Sequence, residues 1–181
     1  MPDTPEPWDP IASVAPDFFA PDDGRKWAEK HWPNVPGPFH TGQTDNCGTG
    51  RMSAPHHVLH GGEYYNEFVH RQPRTPAEVQ CLPPAAEDDP FQGYDCDGGS
   101  RWTPETVRAW WSERGRVEKH VAGLLAEWTA EGAGREDTGA AEGARDFLGY
   151  LAGDLETDLR AYIFRLEQGR YPVPGDRLPD L

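Results

Sequence analysis

The sequence predicts an α+β fold: a small antiparallel β-sheet with a helical layer dominated by a C-terminal antiparallel helix pair, preceded by a Pro-rich N-terminal arm. Three observations predict it. Aromatic and β-branched residues flank the pair Gly61-Gly62. Two stretches, 104–130 and 139–168, carry apolar residues at three- and four-residue steps. Pro2, Pro5, Pro7, Pro10, Pro16, Pro21, Pro33, Pro36 and Pro38 crowd the first 45 residues, a density that leaves room for one helical turn near Asp23–His31.

In chain order, residues 1–35 form the arm, with the first dozen residues disordered, and 36–181 form a single α+β domain, the usual outcome for a chain of 181 residues. Trp27, Trp32 and Phe39 tie the arm to the core. Residues 56–70 form a β-hairpin in which Gly61-Gly62 supplies the positive φ of a two-residue turn. That turn sets His60 opposite Glu63, Val58 opposite Tyr65 and His56 opposite Glu67, all on one face. Thr75-Pro76 and Thr103-Pro104 are helix starts, each with a Thr cap and Pro at the first helical position, and Glu78 is placed to close a capping box. Pro83-Pro84 stop the first of these helices, and Gly115 is the place for a bend in the second. The last helix runs over 139–168 and ends at Gly169. At 1.5 Å per residue it is roughly 45 Å long.

Only 36% of the residues are hydrophobic, but 7 Trp, 6 Tyr and 7 Phe supply bulk, each buried ring hiding ~150–250 Å². The 31 carboxylates against 17 Lys and Arg leave a net charge of −14. Such a field repels nucleic acid and anionic membrane and favours a basic protein or a cationic ligand. No apolar run is long enough to span a membrane, and the acidic, Pro-rich N-terminus is not a Sec signal. Cys47, Cys81 and Cys96 are odd in number and far apart, so a disulfide framework is not expected and a reducing cytoplasm fits.

Candidate chemistry concentrates in 36–70, which holds five of the seven histidines. His56, His60, Glu63 and Glu67 on one hairpin face offer imidazole and carboxylate donors for a divalent transition metal. The competing reading is a solvent-facing strand with His–Glu pairs. In the loop Thr44–Arg51, Cys47 beside Arg51 and a nearby histidine, His56, is a candidate nucleophile, with Asp45 as a third catalytic candidate. The glycines and Arg51 there resemble an anion cradle but not a P-loop. The plainer alternative is an Asx-turn in which Asp45 and Asn46 satisfy local backbone. Arg71 and Arg74 close the hairpin and are candidate binders of carboxylate or phosphate. Asp95 and Asp97, after Glu87-Asp88-Asp89, suit a hard cation but lack the Glu of an EF-hand. Trp110, Trp111 and Trp128 recur at helical spacing, which favours core over a ligand pocket.

The segments GPFHTGQTDNCGTGR, EFVHRQPRTPAEV, DPFQGYDC and WTPETVRAWW together resemble a group of small acidic actinobacterial proteins of unassigned function, over roughly Pro36 to the C-terminus. The resemblance brings no activity with it. A "ferredoxin" label attached to some such chains does not suit this one: no Cys-x-x-Cys pair is present, and three thiolates are one short of an iron–sulfur ligand set. Three functions follow as expectations. The first is a cytoplasmic acidic protein that binds a basic partner, as an immunity or accessory protein does. The second is a small enzyme of specialised metabolism using the hairpin and the Asp45–Arg51 loop, and the third is a metal sensor or carrier built on the same hairpin.

Overall fold

The computed structural model describes residues 9–62, 66–130 and 138–181. Among the described residues of the arm, a 3-10 turn at Pro10–Ser13 and a single helical turn, α1 (Arg25–Ala28), are regular, so residues 9–12, expected to be disordered, are ordered, with Asp9 paired to Arg165. β1 (His40–Thr41), α2 (Thr49–Ser53), β2 (Val58–His60) and β3 (Glu67–Val69) follow. Then come α3 (Pro76–Val79), α4 (Leu82–Glu87), β4 (Tyr94–Asp95) and α5 (Gly98–Arg101). Four helices close the chain: α6 (Pro104–Ser112), α7 (Arg114–Thr129), α8 (Thr138–Ala152) and α9 (Leu155–Gln168). The α+β class is as the sequence predicts. Among the described residues the strands form two antiparallel pairs, β1–β4 and β2–β3.

The hairpin register differs from the expectation. Val58 pairs with Val69, Leu59 with Phe68 and His60 with Glu67. Val69 and Glu67 thus take the places opposite Val58 and His60, His56 lies ahead of the strand, exposed in a turn, and Glu63 and Tyr65 lie outside the described residues. The reason is burial on both sides. Leu59 and Phe68 enter a core built with α6–α9, while Val58 and Val69 enter a second core with Phe39, Val79, Leu82 and Tyr94. The shift is an even number of residues, so Val58, His60 and Glu67 keep one face and Leu59 and Phe68 the other, as expected; what changes is the partner, apolar now meeting apolar at Val58–Val69 and Leu59–Phe68. Gly61 (φ 141°) and Gly62 (φ 92°) are still needed: a Cβ on Gly61 would lie 2.6 Å from the Leu124 side chain.

The long helices are each interrupted. The break after α6 falls at Glu113 rather than Gly115, and the expected 45 Å helix is two helices separated at Gly153-Asp154. α8 packs on α7 and α9 packs on α6. Pro83-Pro84 do not end a helix. They lie in the first turn of α4, where the missing N–H groups cost nothing. The Thr103 cap is joined by Thr106 in a capping box, whereas Glu78 reaches the Arg74 N–H instead of Thr75.

Residues 33–42 are buried without interruption. Asn34, 0% exposed, anchors this segment. Its Oδ1 accepts from the N–H of Thr41 (3.1 Å) and Val69 (2.9 Å), and its Nδ2 donates to the carbonyls of His31 and Thr41. Trp27 meets Trp102 edge-on at 5.2 Å, so the arm is sealed onto the helical core. Among the described residues, no helix is long and apolar enough to cross a membrane.

Candidate functional site

The hairpin and the loop before it do converge, on Glu67. This residue opens β3 and is 0% exposed. Its N–H donates to Thr44 Oγ1 (2.8 Å), and its carbonyl accepts from Thr41 Oγ1 (2.7 Å). One carboxylate oxygen accepts the Gly50 N–H at 2.7 Å and the other the Tyr94 hydroxyl at 2.5 Å. Burial pushes the Glu67 carboxyl up to about 7, helped by the neighbouring Asp45 and Asp89, against the pull of Tyr94 and Gly50. Burial beside the same carboxylates holds the Tyr94 phenol well above its ordinary range. Gly50 is obligatory here, because a Cβ would overlap the Tyr94 hydroxyl and the Glu67 carboxylate.

Asp89, also buried, fastens the surrounding loops. It accepts from the N–H groups of Asp45 (3.0 Å), Phe91 (3.1 Å) and Gly93 (2.7 Å). Asp45 in turn accepts the Cys47 N–H at 3.3 Å, the Asx-turn arrangement. Cys47 itself is exposed. His60 packs its ring against Gly48 and on Trp128, 5.4 Å between centroids. The structure thus brings Asp45, His60 and Glu67 into one neighbourhood. His56 stands outside it on the surface, and Glu63 lies outside the described residues. Among the described residues, no three His, Cys, Asp or Glu side chains come together as a metal-binding group.

The candidate arginines are bound up within the chain. Arg51 donates to the carbonyls of Pro55, Val58 and Gly139, which ties the loop to α8 across the face left open by Gly143. Arg74 pairs with Asp158, and Arg71 lies over the Tyr150 ring at 4.0 Å. Tyr150 donates to the same Asp158 at 2.5 Å. Arg74, Asp158 and Tyr150 edge a cleft of about 280 Å³ that Pro38, Tyr162 and Tyr171 also wall; the Tyr162 hydroxyl is buried and has no hydrogen-bond partner. Asp95 and Asp97 are likewise engaged: Asp95 pairs with the buried Lys26 (3.3 Å), Asp97 with His40 (2.7 Å) and Arg101 (2.8 Å). Trp110 and Trp128 are core residues.

Sequence reasoning found Glu67 but not Tyr94, Gly50 or Asp89. Nothing local marks them. The density of Thr and Gly in 41–50 was the available signal, since short hydroxyl and Cβ-less residues suit a loop that folds over a buried acid. No protein-family model matches the chain, and no curated protein or solved structure is significantly similar to it.

Proposed function

We propose that the chain is an acidic binding protein of the cytoplasm that engages a basic protein partner, as an immunity or accessory protein does, and that nucleic acid and membrane surfaces are not its targets. The supporting observation is where the charge lies. Among the described residues only three carboxylates, Asp45, Glu67 and Asp89, are buried. The others meet solvent, with 31 acids against 17 cations in the chain. The exposed neighbours Glu87-Asp88 and Asp22-Asp23 concentrate like charge. Adjacent like charges repel, a cost that a cationic partner offsets. Complementary charge also speeds encounter and selects partners.

Native mass spectrometry of the untagged chain, isolated from its own host at low salt, tests this reading. The expected result is a basic protein bound in stoichiometric amount, released as salt rises past physiological strength, where the Debye length is ~8 Å. A bare chain at low salt, or a complex indifferent to salt, counts against it.

A further inference from the structure

A second cavity, of about 240 Å³, lies between the end of the arm and the α6–α7 break. Trp32, Trp102 and Trp110 form its apolar walls, with Lys30, Arg116 and Glu113 among its lining. In a chain with so large an excess of acid, Lys30 and Arg116 have no ion-pair partner among the described residues. Lys30 Nζ sits over the Trp102 ring at 4.5 Å and the Trp27 ring at 5.0 Å, and the Arg116 guanidinium lies over Trp32 at 4.0 Å. Both cations are thus held on aromatic faces rather than on carboxylates. Trp102 is 7% exposed, and its indole N–H has no acceptor. Trp110, by contrast, donates to the Trp32 carbonyl at 3.3 Å.

We propose that this cavity binds a small planar organic anion, an aryl or heteroaryl monocarboxylate. Its ring lies among the tryptophans, and its carboxylate takes charge-assisted hydrogen bonds from Lys30 and Arg116. Three features set the class. The volume is below the ~300–1,000 Å³ usual for drug-sized ligands, which limits the occupant to one or two rings and excludes a nucleotide. Three of the lining side chains are indoles. Glu113 among the lining groups disfavours a second negative charge, so a monocarboxylate is preferred over a phosphate monoester. Burial lowers the Lys30 ammonium from its ordinary value, and an anion restores what desolvation removes.

The test is calorimetric titration of the full chain with benzoate and indole-3-acetate, beside benzamide, indole-3-acetamide and phenyl phosphate. The expected result is saturable binding of at least one acid, tenfold or more tighter than its amide and than phenyl phosphate. Lys30→Met and Arg116→Gln are each expected to weaken it about tenfold. Arg116 is exposed, so its variant keeps the fold. Amides that bind as well as acids, no saturation by either acid at 10-millimolar order, or acid binding unchanged in both Lys30→Met and Arg116→Gln overturns the assignment.

Discussion

Glu67 sets the pH response at the scale of single residues. Its carboxyl titrates near 4.5 when unconstrained and near 7 in the fold. Between those values the folded chain holds a proton that the unfolded chain has released. The stability from this group is therefore complete below about pH 4.5 and gone above about 7. Histidines act in the opposite sense. Burial lowers His31 to about 4, and His40, His57, His70 and His120 also shift down, so these groups cost stability as pH falls below 6.5. A difference measurement separates the two. Glu67→Gln keeps the shape and an acceptor for Gly50 while removing the charge. Relative to wild type it is expected to gain roughly 2–3 kcal/mol between pH 5 and pH 8, since each pKa unit is worth ~1.4 kcal/mol. Thermal melts at both pH values read this as several degrees. A wild-type-to-variant difference that stays constant across the range removes Glu67 as the titrating group.

At the scale of elements, Asn34 joins the arm to two strands of different pairs. Asn34→Ala leaves the N–H groups of Thr41 and Val69 buried without acceptors, and each such loss costs ~1–3 kcal/mol. The expected destabilisation is about 3–4 kcal/mol by urea unfolding, and a loss below about 1 kcal/mol would show that the segment is held elsewhere. Such long-range fastenings separate what the sequence disclosed from what it withheld. The Thr75 and Thr103 helix starts and the Gly169 stop were legible, because a cap is settled within four residues. The hairpin was legible as an element but not in register. Turn chemistry favoured the two-residue loop, and only the walls contributed by α6–α9 and by α3–α4 decide otherwise. The break at Gly153-Asp154 was hidden because the apolar spacing runs on through it on both sides. At the site, Glu67 was readable from strand alternation. Tyr94, 27 residues on, was not, because no local pattern reports which phenol will meet which acid.

At the scale of the whole molecule, the β2–β3 hairpin is shared property. Leu59 and Phe68 complete one core, and Val58 and Val69 complete the other. Neither core is finished without it, so neither melts alone. Calorimetry is expected to show one transition, with calorimetric and van't Hoff enthalpies equal within about 10%. Two resolved transitions would mean that the cores are independent. The same sharing has a consequence during synthesis. The α3–α4 side of the hairpin is translated almost at once, but Phe147 of α8, which meets Phe68 at 6.2 Å, is added 79 residues later. At ~5–20 residues per second, a nascent chain shows its Leu59–Phe68 face for roughly 4–16 seconds before the partner wall exists. That interval makes the half-finished chain a natural client for whatever shields apolar strands at the ribosome.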